Sequence, residues 1–536
     1  MKKAFLKMLV LTLALTMLVG SSALAVQLTP FADEPVTLTV ATQVNSAFAL
    51  PENSWDWTFF EKELNLKFEV EQVTDSANYN QLTFASGNMP DLYIAMNLTP
   101  VDVMNYGVAE GQLVALDEYI DNGSMPNLAK VYEQYPEARA KVTCPDGHIY
   151  SLGIIRDDDL VDERTYWNVA MLEELGLQAP TTLDEFIDVL YAVKERYGEN
   201  TYPMLGGYES YNPMGILLNA FGYLTRDSKG LSIAMRNGTP VFPYGDREAF
   251  GDFLTLMNQF YKDGIISPDF FTMDKTTYKA QALENDTFII PQAPYVIFAE
   301  TFDNYDAIEP LTSKYSDTRA WPSGTNIVSC GNVAISTNCK NLDAALFFVD
   351  WMYDAENYVM AAYGPQASDT DLLYGMTSGW TMDSEHYGYT YADMADKGFD
   401  NNWDYLRGVI LGWYEGQFGY DLKIETSQAM AGYEPVGRVY NHDDGDDNYR
   451  ETVIEHLQQY ASAGYPTVAF FTVEETEGIT DLKSVLESYA VPEIAKFITG
   501  SRSLDELNAY FDELDNLGYQ EYVGYYVDYY NNNVAK

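Results

Sequence analysis

The chain reads as an α/β protein of two or three domains. Its N-terminal part alternates between period-two and helical patterning, its middle and end carry legible helix start and stop signals, and its composition is 47% hydrophobic and 14% aromatic. At roughly 100 to 200 residues per domain, a chain of 536 residues builds more than one core.

Val36, Leu38 and Val40 alternate with threonines and predict a strand, residues 57–64 predict a short helix, and Leu66, Phe68 and Val70 share one face of a second strand. A helix over 77–85 leads through Ser86-Gly87-Asn88-Met89-Pro90 into an apolar strand over 92–95. The order β-α-β-α-β demands parallel strands with crossover helices packed over the sheet. Farther on, Thr182 and Glu185 have the spacing of a capping box, and Phe186, Val189, Leu190 and Val193 follow at helical intervals. Ser503 and Glu506 repeat the box. Asn341 opens a helix with Leu342, Ala345, Leu346, Val349 and Met352 on one stripe, while Gly176, Gly264, Gly500 and Gly518 stand where glycine caps end helices. Trp351 and the run Tyr522, Tyr525, Tyr526, Tyr529, Tyr530 sit at helical spacing and read as packing residues. Residues 364–447, rich in Tyr, Gly, Asp and Asn, read as loops and short helices.

Lys2, Lys3 and Lys7 precede an apolar run over 8–19 and then Ala23-Leu24-Ala25. This is the layout of a secretory signal peptide, too short to span a bilayer as a stable helix, so cleavage is expected near Ala25. The formal charge of −49, from 80 acidic and 31 basic residues, repels nucleic acid and anionic lipid. The apolar content opposes disorder, so the acids read as a solvated outer face. Cys144, Cys330 and Cys339 are an odd set; a Cys330–Cys339 bridge across a short turn is open, but free Cys is so often a core residue that free thiols are favoured.

Enzymatic motifs are absent: there is no GxxxxGK[ST], HExxH or GxSxG. His148, His386, His442 and His456 are scattered and read as surface or satisfied polar residues. Carboxylate pairs such as those in Asp157-Asp158-Asp159 are inevitable among so many acids. Asp443-Asp444-Gly445-Asp446-Asp447 is oxygen-rich enough for calcium but lacks the spacing and closing Glu of an EF-hand, so it reads as a solvated turn. No cofactor is expected. The remaining signal is aromatic, since sugar C–H faces stack on Trp and Tyr while their hydroxyls need polar side chains in a cleft. On that argument alone Trp55, Trp57, Trp321, Trp380 and Trp403 are candidate ligand residues, with domain packing as the alternative for each.

Several phrases together resemble the family 1 extracellular solute-binding proteins, in particular the large oligosaccharide-binding, lipoprotein-type branch of Firmicutes. They are Ala85-Ser86-Gly87-Asn88-Met89-Pro90-Asp91-Leu92, Leu113 to Ile120 with its Leu-Asp-Glu-Tyr-Ile ending, Asp146-Gly147-His148-Ile149-Tyr150, Thr182-Leu183-Asp184-Glu185-Phe186 and Asp263-Gly264-Ile265-Ile266-Ser267-Pro268-Asp269-Phe270. Ser329-Cys330-Gly331-Asn332, Asp350-Trp351-Met352-Tyr353 and Phe497-Ile498-Thr499-Gly500 continue the order. The branch carries a lipobox Cys, whereas here Leu18-Val19-Gly20 is followed by Ser21, so no thiol is available for lipidation.

The resemblance implies a two-lobed periplasmic-binding-protein-like (type II) fold, each lobe a mainly parallel sheet flanked by helices, closing by hinge crossovers. The expected N-terminal lobe comprises 26–153 and 305–358, the C-terminal lobe 154–304 and 359–536. It also implies a sugar or oligosaccharide ligand, the permease subunits of an ABC importer as partners, a monomer outside the cell and no catalysis. Ligand loops are then expected at strand ends, near Met96, Asn97, Arg156, Asp157, Tyr208, Tyr211 and Tyr295, with Asp91 structural. The rival expectations are a secreted glycoside hydrolase and a calcium-dependent surface carbohydrate-binding protein.

Overall fold

The computed structural model describes residues 26, 28–44, 54–156, 165–198, 201–284, 287–291, 294, 297–298, 301, 304–323, 328–383, 388–399, 405–413, 419–421, 457–466 and 468–535. The expected signal peptide, Asp157 to Asp159, Tyr295, Trp403, His386, His442, His456 and the Asp443–Asp447 cluster lie outside them.

The alternating N-terminal pattern folds as expected. Strand β1 (Val36–Gln43), helix α1 (Trp55–Glu63), strand β2 (Leu66–Val73), helix α2 (Ser76–Ser86) and strand β3 (Leu92–Ile94) follow in order. β1 runs parallel to both β2 and β3, and the strand Val333–Ile335 adds antiparallel to β3. Because side chains alternate across a strand, the sheet has two apolar faces. Leu38, Val40, Leu92, Ile94, Val333 and Ile335 enter one core, while Ala41, Tyr93 and Ala334 enter a smaller one with Phe84. Asp91 is structural, as expected: its Oδ2 accepts the Thr39 backbone N–H at 2.8 Å and the Thr39 hydroxyl at 2.9 Å, tying β3 to β1.

A second body has its own core, built on the helices Leu183–Tyr197, Ala249–Lys262 and Val473–Thr499. The Thr182 box forms with both hydrogen bonds, and Phe186, Val189, Leu190 and Val193 face inward. A second box, Thr472 with Glu475, starts the 473–499 helix. Ser503 departs from expectation: its hydroxyl accepts from Asp505, a 3-10 turn intervenes, and Glu506 pairs with Arg502 instead. Strand direction also differs here, because Tyr166–Asn168 is antiparallel to both Ile289–Ile290 and Tyr305–Ala307.

The chain passes from one body to the other between Ile155 and Tyr166, returns between Trp321 and Val328, and crosses again between Trp413 and Leu457. Those passages move the expected boundaries. Ala307 and Trp321 pack in the second core, whereas Tyr358, Trp380, Tyr391, Tyr405 and Trp413 pack in the first. The 364–447 stretch also holds more order than its composition suggests, since Trp380–Asp383 pairs with Gly388–Tyr391 as an antiparallel hairpin. All three cysteines are free, Cys144 fully buried. Among the described residues no helix is long and apolar enough to cross a membrane.

Candidate functional site

In a parallel α/β sheet, the loops beyond the carboxyl ends of the strands form the natural crevice. Here the end of β3 is built under strain. Ala95 and Asn97 both adopt left-handed backbone, φ 55° and 52°, a conformation that costs non-glycine residues of order 1–3 kcal/mol and clusters at functional sites. The surroundings hold it in place. The Ala95 N–H donates to the Asn332 carbonyl at 2.7 Å, the Leu98 N–H to Gly331 at 3.3 Å, and Asn80 Nδ2 to the Met96 carbonyl at 3.0 Å. Asn97 Nδ2 in turn donates to Gln43 Oε1 at 2.6 Å, so two planar amides from the ends of β3 and β1 meet at this edge.

Thr99 then caps a short helical turn: its hydroxyl accepts the Asp102 N–H while Asp102 Oδ2 accepts back from Thr99. The next two residues, Pro100 and Val101, form the first-body side of a cavity of ≈ 540 Å³ whose other walls come from the second body and the segment joining them. Those walls are 224–227, 231–233, Pro322, 464–466, Ala469, Phe471, the 473–499 helix at Thr476, Ile479 and Lys483, and the helix Tyr519–Asn533 at Tyr522 and Tyr526. The rings interlock edge-on: Tyr526 meets Tyr465 at 5.6 Å, Phe471 at 5.2 Å and Tyr522 at 5.2 Å between centroids. Burial raises the Tyr465, Tyr522 and Tyr526 hydroxyls above their ordinary pKa, so all three are neutral donors and acceptors at physiological pH.

The joining segment holds both bodies at once. Val468 and Phe470 enter the small core under the first sheet, while Tyr465 and Phe471 pack against the second core. An extended stretch that sends alternate side chains to opposite bodies is a shared wall between them.

A sequence profile described as bacterial extracellular solute-binding protein matches residues 58–371. The chain belongs to that family. The fructooligosaccharide ABC transporter substrate-binding protein FusA of Streptococcus pneumoniae is 23% identical over 485 residues, covering 85% of this chain and 83% of the relative. Lipoprotein LipO of Bacillus subtilis is 24% identical over 358 residues, 62% of this chain and 68% of LipO. Among solved structures, FusA in complex with kestose superposes with a TM-score of 0.71 at 21% identity, over 93% of this chain and 100% of that one. An HMO-binding, ABC-transporter-associated solute-binding protein from Bifidobacterium longum infantis gives 0.72 at 18% identity, over 93% and 99%. At such identities the superpositions establish the two-lobed solute-binding fold.

Within this family member, the tryptophans expected to stack on ligand are core residues instead. Trp55 is 2% exposed, donates its indole N–H to the Leu372 carbonyl at 2.7 Å and stacks on Phe59. Trp57 packs among Phe60, Phe68 and Trp413. Trp321 donates to Ile308 at 2.9 Å and Trp380 to Gly364 at 3.0 Å, both buried. A ring enclosed on both faces with its N–H already bonded has nothing left for a sugar. Met96 is likewise fully buried, and Tyr208 is closed off by its hydroxyl bond to Tyr244 at 2.9 Å. Tyr211 is half-buried, stacked on Tyr278 at 4.4 Å, and carries the second body's left-handed tyrosine, φ 56°. Arg156 closes the strand Ile154–Arg156, paired with Gly419–Asp421.

None of the residues expected from sequence lines the cavity among its described walls; Asn97 stands three positions before Pro100, and Trp321 adjoins Pro322. Tyr522 and Tyr526 were legible only as packing residues, because a helical stripe of tyrosines looks the same whether it faces a core or a cavity. Among the described residues no group of three or more His, Cys, Asp or Glu is arranged to hold a metal.

Proposed function

We propose that the protein captures a sugar or oligosaccharide between its two bodies and hands it unaltered to the permease subunits of an ABC importer. The observation that carries this reading is the ring-lined cavity walled by both bodies and by the segment joining them. Its ≈ 540 Å³ falls within the roughly 300–1,000 Å³ of small-molecule sites. The half-buried rings of Tyr465 and Tyr526 supply faces for sugar C–H surfaces, with the buried Tyr522 packed behind them, and the Asn97–Gln43 amide pair at the adjoining strand end supplies hydroxyl partners. Tyr211, Arg156, Asp157, Tyr295 and Trp403 stand as further candidate contacts. FusA, named for fructooligosaccharide transport, supports the carbohydrate class. A ligand touching both bodies favours the closed form because its contacts exist fully only there; equal affinity for open and closed forms would shift nothing.

The reading makes the protein a secreted, monomeric binding component and not an enzyme. Glycoside hydrolysis needs two carboxyls roughly 5–10 Å apart across the sugar, whereas the described cavity wall carries one, Asp227, and both its oxygens accept backbone N–H groups from Lys229 and Leu231. A thermal-shift screen over oligosaccharides tests capture, since saturation at a hundred times Kd adds about 2.7 kcal/mol of stability. Reducing ends released at enzymatic rates in the same samples would replace the proposal with hydrolysis.

A further inference from the structure

We infer that residues 468–472 form a latch: Val468 and Phe470, seated in the first body's small core, hold the two bodies together before any ligand arrives, so that a sugar meets a cavity already assembled. The role given to the latch rests on the capture reading and deepens it, naming what keeps the site in shape.

Side chains along this stretch alternate. Val468 and Phe470 are 9% and 6% exposed and belong to the core under the first sheet, with Met96 and Leu98 of the strained turn and Val103 and Met104 beyond it. Ala469 and Phe471 line the cavity instead. The same short length of backbone therefore has one face against the first body and the other against the ligand space.

The second body grips these residues too. The Phe470 backbone N–H donates to the Tyr529 hydroxyl of the last helix, and the Phe471 ring lies 5.1 Å from Tyr529 and 5.2 Å from Tyr526. No slack follows the latch. Thr472 is already the N-cap of the helix Val473–Thr499, whose Ile479, Leu486 and Ile494 are buried in the second core. The Glu475 carboxylate accepts the Thr472 N–H at 2.8 Å while the Thr472 hydroxyl accepts from Glu475, which locks the junction. Val473, the first helical residue, still packs against the first body's small core.

A rotation that carries the 473–499 helix away from the first sheet must therefore pull Val468 and Phe470 out of their core or part Phe471 from the last helix. Either returns apolar side chains to water, which favours the joined form without ligand. An assembled site also spares the ligand the cost of ordering it. Where only a fraction of molecules is competent, the apparent Kd rises by the inverse of that fraction.

The test uses no ligand, so its result is independent of capture. Small-angle X-ray scattering of the ligand-free full chain should show the joined form. Phe470→Ala and Val468→Ala should each raise the ratio of parted to joined molecules, Phe470→Ala at least ten-fold, because deleting a buried ring costs more than the free energy of one decade. Amide exchange at 468–472 reads that ratio while the parted form is rare, and the double variant should be extended in scattering. Phe470→Leu should restore most of the protection. Leu346→Ala, in the first body's large core, controls for lost stability alone: it should lower the melting temperature and leave the scattering curve and the 468–472 amides as in the parent. An extended ligand-free parent, or amides 468–472 that exchange at the parent's rate in both single variants, overturns the latch and leaves capture standing. The expected scattering and exchange in a protein that binds no member of the thermal-shift screen would uphold the latch and remove capture.

Discussion

Asp350 links two helices of the first body and should make that body's stability depend on pH in a specific way. It is 5% exposed, and its carboxylate accepts the N–H of Leu128 at 2.9 Å and of Asn127 at 3.2 Å, capping the helix Pro126–Gln134 from the end of Leu342–Trp351. Burial pushes its carboxyl from the ordinary 3.8 up to about 6, with the two N–H groups pulling the other way. Between those values the folded protein holds a proton that the unfolded chain has released. This group's favourable contribution is therefore complete below the unfolded value of 3.8 and is lost as pH rises through the folded value near 6. At about 1.4 kcal/mol per unit the full swing is roughly 3 kcal/mol, of which about 1.3 kcal/mol falls between pH 7 and pH 5. Asp350→Asn removes the titration and keeps one acceptor. Urea unfolding of both proteins, followed by tryptophan fluorescence at pH 7 and pH 5, should show the parent gaining about 1.3 kcal/mol on the variant as the pH is lowered. Parallel stabilities at the two pH values would mean that the carboxyl is solvated and the reasoning wrong.

Three other outcomes are expected. Gly331 has φ 78°, and a Cβ there would run into the Leu98 carbonyl oxygen. Gly331→Ala should therefore displace the strained 95–98 turn and lower both ligand affinity and melting temperature; an unchanged affinity would separate that turn from the site. Trp321→Ala, by contrast, should cost about 3–5 kcal/mol in unfolding free energy while the folded fraction keeps the parent's ligand affinity, and a stable but non-binding variant would restore Trp321 to the site. Because the three thiols are free, with burial pushing Cys330 up to about 12 and Cys339 up to about 11, dithiothreitol should leave the melting temperature unmoved. A drop of several degrees would reveal a Cys330–Cys339 bridge.

Local chemistry was written openly in the chain. The alternation of Leu38 and Val40 with threonines, the Thr182–Glu185 box and the Asn341 stripe each became the predicted element, because each depends on neighbours within one or two turns. The β-α-β-α-β order likewise dictated the parallel pairs of the first sheet. Where local signals were short the reading missed order: the hairpin Trp380–Asp383 with Gly388–Tyr391 alternates Trp380 and Met382 with Thr381 and Asp383, and Tyr389 and Tyr391 about Thr390, but four residues a strand amid Gly, Asp and Asn are too few to stand out.

Residue pattern alone determined the class, the parallel N-terminal sheet and the family. Tertiary structure decided which aromatics are free to meet a ligand. Trp55, Trp57, Trp321 and Trp380 have the composition of a sugar site, yet their surroundings close both ring faces, while Tyr526 of the last helix, read as packing, is half-buried and borders the cavity beside Tyr522, which does pack in the core. The physical reason is that exposure of a ring is set by what long-range folding brings against it. Pro100 and Tyr526 share one wall only because the 464–472 segment binds both bodies together, a relation between residues more than 400 positions apart.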